Sequence, residues 1–324
     1  MKINFNSWNL SLSGGNRFIF ELSNSLVDRG HEVTITHVGL KRYYRWFKPI
    51  KAEIIDCNYS LFDRALFKLK GKPSREEMLY RLQQNIPNCD VNIATYCWTA
   101  YPTVSSKKGS GFYLIQHYEP WFFIKEEDKA YAKATYSLPL QKLCVSHWLT
   151  EKVNGTYIGN GINKNKFKRI AEIPKIKDSI MIILRHNIGW KNPDLTLKVV
   201  DALESRGYTV FRVEGTLTDE ELIETYNKAD IFLNLSEKEG FSYNILEAMA
   251  CGCAVVTSPC SEYLVDMKNV YVLPQVIFEN AMVGIGKVLA NKDLHDTLVH
   301  GGFATAKMFD FENVVDRVEG IIKK

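Results

Sequence analysis

The run Ala229-Asp230-Ile231-Phe232-Leu233-Asn234-Leu235 is apolar, too short for a helix and closed by polar residues, which is the pattern of a strand buried in a parallel sheet. A turn, Ser236-Glu237-Lys238-Glu239-Gly240-Phe241, follows it. From about Ser242 a helix runs to the Cys251-Gly252 stop, with Ile245, Leu246 and Met249 on an inward stripe and a glycine where a left-handed cap belongs. The amino-terminal end repeats this logic. It reads as a strand over 2–5, a loop with Ser13-Gly14-Gly15-Asn16-Arg17, a helix carrying Phe18, Leu22 and Leu26 on one face, and a strand over 33–36. Crossovers of this kind demand parallel sheets, so the chain is α/β. Further strands are expected over 91–95, 111–116, 179–184 and 208–213, with a helix over 194–203 between the last two.

A chain of 324 residues exceeds what one core usually serves, and two domains of roughly 150 residues follow. The expected division is 1–165 and 166–324. No run of 18 or more apolar residues is present, and polar Asn4, Asn6, Ser7 and Asn9 interrupt any leader, so a cytoplasmic protein is expected. Seven cysteines without a C-x-x-C pair suggest neither a disulfide framework nor a zinc site; small buried core residues is their expected role. The net charge of +4 is uninformative, but bases gather between Lys41 and Arg75, interleaved with Tyr43, Tyr44, Trp46, Phe47, Phe62 and Phe67. Residues 41–72 therefore suit peripheral attachment to an anionic membrane surface, or equally a solvated segment whose aromatics pack on the core. No recognition motif accompanies the patch, so nucleic acid is not expected as a partner.

Glu239 and Glu247 stand eight positions apart, one just before a helix and the other about 8 Å along it. Unpaired N–H groups at Gly240, Phe241 and Ser242, with the positive helix end, would make an anion site between the two carboxylates. On the residues alone, the pair is as readily a capping acid and a solvated helix face. The Gly14-Gly15 pair lets backbone approach a phosphate, or simply turns the chain; it lacks the third glycine of G-x-G-x-x-G, which argues against a dinucleotide oxidoreductase. His117 falls at the carboxyl end of an expected strand, where open α/β sheets bind ligands, and is either a functional or a structural histidine.

The stretch Glu239-Gly240-Phe241 through Glu247-Ala248-Met249-Ala250-Cys251-Gly252, followed by Ala254-Val255-Val256-Thr257-Ser258, resembles the E-x7-E signature of family 4 glycosyltransferases. Gly14-Gly15-x-Arg17 through Arg29-Gly30-His31-Glu32-Val33 is similar to the first unit of that family, and Gln116-His117-Tyr118-Glu119-Pro120 with Ala134-Thr135-Tyr136 to a rhamnosyltransferase-like branch. The resemblance implies the GT-B fold: two Rossmann-like domains with parallel sheets facing across a cleft, and a closing amphipathic helix, 309–324, returning to the first domain. Arg185 and Lys191 match the basic pair that the family aims at the donor diphosphate, although Trp190-Lys191-Asn192 stands where lysine is usually followed by glycine. The loop tip is expected to differ accordingly. His117 matches a donor-sugar contact, and Glu119 is a candidate for holding that histidine or the acceptor.

What the resemblance implies is a retaining transferase moving a sugar from a nucleoside-diphosphate sugar to a hydroxyl of a glycan or lipid-linked acceptor, in cell-surface polysaccharide or glycoconjugate synthesis. In it Glu239 grips sugar hydroxyls and Glu247 the ribose, while Gly14, Gly15, Gly240, Phe241 and Ser242 face phosphate. No Asp-x-Asp pair sits at a plausible strand end, so no cofactor and no essential divalent ion are expected. A phosphorylase or sugar-phosphate synthase on the same fold, and a non-catalytic nucleotide-sugar-binding subunit, are the alternatives.

Overall fold

The computed structural model describes residues 1–39, 46–57, 73–186, 188–215 and 217–324. The chain divides into two compact units, Met1–Gly159 with Val315–Lys324, and Asn160–Val314. The sequence reading sets the boundary slightly later, after residue 165.

In the first unit β1 (Lys2–Ser7), β2 (Glu32–His37), β3 (Glu53–Asp56), β4 (Val91–Ala94), β5 (Ser110–Ile115), β6 (Gln141–Cys144) and β7 (Thr156–Tyr157) form one sheet in the order β3-β2-β1-β4-β5-β6-β7. Every pairing is parallel, as the β-loop-α-β pattern requires. Strand β3 lies inside the segment read as a basic surface stretch. Its register against β2, Thr34 to Glu53 through His37 to Asp56, makes it a sheet edge. The aromatics beside it that the structure describes turn inward: Phe47 is buried and stacks on Phe20 at 5.0 Å, and the Trp46 indole N–H donates to the Leu10 carbonyl at 3.0 Å. The rest of the proposed membrane segment, 41–45 and 58–72, lies outside the described residues.

Asn4 and Asn6, which the sequence offers as polar interruptions, are fully buried in β1. Asn6 donates to Asn92 Oδ1 at 2.6 Å and to Thr103 Oγ1 at 2.9 Å, while Thr36 donates to Asn4 Oδ1 at 2.7 Å. The amides thus satisfy one another and the helix Cys97–Ser105, which removes the desolvation cost of burying them.

The second unit has β8 (Ile180–Ile183), β9 (Val210–Val213), β10 (Ile231–Asn234), β11 (Ala254–Thr257) and β12 (Tyr271–Val272), in the parallel order β12-β11-β10-β8-β9. Its core is aliphatic, from Ile180, Ile182, Ile231, Leu233 and Val256 of the sheet to Val199, Val200, Ile285 and Leu298 of the covering helices. The strand order reverses at β8, between β10 and β9. Ligands of open α/β sheets bind at such a switch point, outside the carboxyl ends of the strands.

The helix Phe311–Ile322 ends in the first unit, where Val315 and Val318 are fully buried. Glu319 fixes it there by accepting from Arg29 at 2.8 Å and pairing with His31 at 3.0 Å; Arg29 also reaches Asp316 at 2.7 Å. All seven cysteines are free, and all but Cys89 are buried.

Candidate active site

Arg185, Lys191, Glu239 and Glu247 all belong to the second unit, on the segments that leave β8 and β10 beside the switch point. Beyond Leu184 the Arg185 guanidinium donates to the Gly215 carbonyl at 3.3 Å, after β9. Burial pushes its pKa down and the nearby Tyr226 opposes this, but a guanidinium stays charged at any working pH. Lys191 closes a short 3-10 turn, Gly189–Lys191, and its ammonium bonds the Glu239 carboxylate. Two further bonds lock the turn after β10 onto this loop: the Glu237 N–H donates to the Trp190 carbonyl at 2.8 Å, and the Asn192 amide to the Leu235 carbonyl at 2.9 Å.

Asn192 explains the departure from lysine-glycine. It adopts a left-handed backbone, φ 50°, which among residues with a Cβ asparagine tolerates best. Pro193 then opens the helix Pro193–Ser205 at a position where its missing N–H costs nothing. The backbone conformation that glycine ordinarily supplies is therefore present, with an added side-chain bond.

The helix after the turn is Tyr243–Ala250, with Ser242 at its N-cap. It stops as expected at Gly252, φ 78°, where a Cβ would meet Phe303 at 2.9 Å. The expected set of unpaired N–H groups requires a correction: the Ser242 N–H donates to Ser261 Oγ at 3.2 Å. Tyr263 holds the same cap from the other side, donating to the Ser242 carbonyl at 2.6 Å. The Tyr263 phenol is pushed well above its usual value by burial, then by the charges of Cys260 and Glu239, with Glu247 adding to it. Both glutamates thus lie within electrostatic reach of one buried ring.

Glu247 is 2% exposed, so the solvated-face reading fails. Tyr226, itself fully buried, donates to Glu247 Oε2 at 3.1 Å. Sequence reasoning missed Tyr226; its only signal there is a large polar ring on the inward side of the helix Asp219–Lys228.

In the first unit Gly14 and Gly15 are not loop residues but the first turn of the helix Gly14–Asp28, capped by Ser13, whose Oγ accepts from the Asn16 N–H at 3.1 Å. Gln116, just past β5, donates to the Gly15 carbonyl at 3.2 Å. His117 follows β5 among aromatic rings, with Phe122 at 4.8 Å and Trp121 at 5.7 Å. Glu119 does not hold it. The Glu119 carboxyl turns into the core, accepts from Tyr113 at 2.7 Å, and is pushed up to about 7 by burial, against the lowering bonds from Tyr113 and Cys97.

A family model described as glycosyl transferases, group 1, matches residues 157–289, nearly all of them in the second unit. The fold is GT-B, two Rossmann-like domains. Over almost its whole length the chain superposes on sucrose-phosphate synthase from Thermosynechococcus elongatus, with a TM-score of 0.82 at 13% identity, covering 99% of this chain and 98% of that one. Anabaena HepE, solved with UDP and glucose, gives 0.76 at 13% identity, covering 100% and 99%.

Among curated proteins, the chain is 30% identical over 148 residues to the putative glycosyltransferase ORF378 of Acidianus filamentous virus 2, covering 43% of this chain and 36% of the relative. It is 31% identical over 143 residues to the O-antigen chain mannosyltransferase B of Escherichia coli, covering 41% and 34%. The matched stretch spans about a third of each relative's length.

Proposed function

We propose that this protein is a retaining glycosyltransferase of the family 4 type, moving a sugar from a nucleoside-diphosphate sugar to a hydroxyl of a glycan or lipid-linked acceptor in polysaccharide or glycoconjugate synthesis. One observation carries the reading. The Lys191–Glu239 ion pair stands before the helix Tyr243–Ala250, which buries Glu247, within the stretch that the glycosyl transferase model matches. Relatives named for glycosyl transfer, and HepE solved with UDP and glucose, support it.

In this reading the bond between the anomeric carbon and the donor phosphate breaks as the acceptor oxygen bonds that carbon on the same face. The acceptor proton passes to the departing phosphate. Arg185 and Lys191 hold the charge that accumulates there; an ammonium has three N–H donors, so bonding Glu239 leaves Lys191 able to serve phosphate oxygens. Glu239 grips sugar hydroxyls and Glu247 the ribose, with His117 assigned to the sugar and Gly14 and Gly15 to phosphate. Fixed cations take the part that a divalent ion plays elsewhere, so chelation by EDTA should leave turnover intact.

The test is release of nucleoside diphosphate from a panel of nucleotide sugars with candidate acceptors, preceded by thermal shifts with UDP, GDP, dTDP and ADP, since a ligand of the folded state raises its melting temperature. Inverted anomeric configuration in the product, read by NMR, would overturn the retaining assignment, and no melting shift with any of the four would overturn the donor class. Attachment of residues 41–72 to an anionic membrane is part of the proposal; failure to sediment with anionic liposomes at low salt removes it.

A further inference from the structure

We propose that Tyr226 is a positioning residue for the donor nucleotide: its hydroxyl orients the buried Glu247 carboxylate toward the ribose hydroxyls and so sets the preference for nucleotides that carry them. The inference rests on the assignment of Glu247 to the ribose made above, and goes beyond it by adding a residue that no part of the glutamate signature contains.

Tyr226 is held from three directions. Its helix, Asp219–Lys228, begins with a capping box in which Thr218 and Glu221 serve each other's backbone. Its ring packs edge-on against Phe232 of β10, with centroids 5.7 Å apart. Its carbonyl accepts from the Lys175 ammonium at 3.0 Å and from the Cys253 thiol at 3.1 Å. A hydroxyl delivered by so fixed a side chain is a fixed donor, and it meets Glu247 Oε2 at 3.1 Å.

Glu247 needs such a donor for two physical reasons. A carboxyl group that is 2% exposed loses most of its water, and a hydrogen-bond donor replaces part of that water and holds the group in place. The terminal torsion of a glutamate is also soft, so position on a helix does not by itself fix the plane of the carboxylate. The Tyr226 hydroxyl selects that plane before a ribose arrives. Tyr226 is also within electrostatic reach of Arg185, which places the hydroxyl near both groups assigned to the nucleotide.

Tyr226→Phe removes the donor and keeps the ring. Isothermal titration would measure the Kd of the tightest-binding diphosphate among UDP, GDP, dTDP and ADP, and of its 2′,3′-dideoxy counterpart, for the full chain and the variant. The preference for the hydroxyl-bearing nucleotide should fall about five- to tenfold in the variant, the worth of one buried hydrogen bond, while binding of the dideoxy nucleotide stays unchanged. Tyr226→Met, an adaptable filler without a donor, must show the same loss.

A folded variant that keeps the full preference overturns the proposal, because a packing role alone lowers the melting temperature without changing that ratio. Failure of both variants to fold makes Tyr226 a stability residue and overturns it too. Glu247→Gln separates this inference from the one beneath it. If Glu247→Gln leaves the preference intact, the ribose assignment itself fails; if Glu247→Gln abolishes it and Tyr226→Phe does not, only the positioning role fails.

Discussion

The ammonium of Lys191 bonds the carboxylate of Glu239, joining the 3-10 turn that follows β8 to the turn that follows β10. The pair unites a group suited to the departing phosphate with one suited to the sugar, so substitutions at its two ends should have different kinetic signatures.

Lys191→Ala should lower kcat by about a hundredfold or more, with a smaller change in donor affinity, because the charge it holds develops mainly in the transition state. Steady-state kinetics beside calorimetric donor binding reads the split. Unchanged kcat would remove Lys191 from the machinery.

Glu239→Gln should raise the Kd for the intact nucleotide sugar while leaving that for the free nucleoside diphosphate near its original value, since only the former presents sugar hydroxyls. Glu247→Ala should do the opposite, weakening the free diphosphate by about tenfold or more through the loss of a buried hydrogen-bond acceptor. Equal effects of either variant on both ligands would contradict the division of labour.

Asn192 is the third test. Asn192→Gly should stay within about 1 kcal/mol of the original stability, exchanging the bond to Leu235 for easier backbone, whereas Asn192→Val should cost on the order of 1–3 kcal/mol because a β-branched residue resists φ 50°. Chemical denaturation of the two variants side by side measures the difference.

Glu119 gives a pH prediction. In the unfolded chain this carboxyl titrates near 4.5 and in the folded chain at about 7, so the folded state holds the proton more tightly. The stability this confers is full below about 4.5 and is lost as pH rises through 7. Glu119→Gln has no proton to lose, so its unfolding free energy relative to the original chain should climb between pH 4.5 and 8, by an amount on the order of 3 kcal/mol. Parallel melting curves across that range would refute the buried-acid reading.

Periodicity made most of the second unit legible. The apolar runs that became β8, β10 and β11 have no other stable use at their length, and Gly252 marks the helix stop without ambiguity. Glu239 and Glu247 could be located by spacing, but not their environments: whether a helical glutamate faces water or core depends on what packs over it, here Tyr226 from a helix about twenty positions earlier in the chain. The same limit hid the asparagines of β1, whose burial becomes affordable only once Asn92 and Thr103 arrive from other elements. Strand β3 escaped notice because charge and aromatic content masked a four-residue run, and the inward turn of Glu119 because it depends on how the 3-10 turn Glu119–Phe122 folds back toward Tyr113 of β5.

The helix that ends at Ile322 carries a consequence for biosynthesis. Because Arg29 and His31 find a carboxylate in Glu319, residues made earlier wait for a partner that lies 290 positions beyond Arg29. The unit formed by Met1–Gly159 with Val315–Lys324 cannot reach its finished form until Glu319 has been made, and a stop codon placed near position 315 should damage that unit rather than the one whose residues immediately precede it.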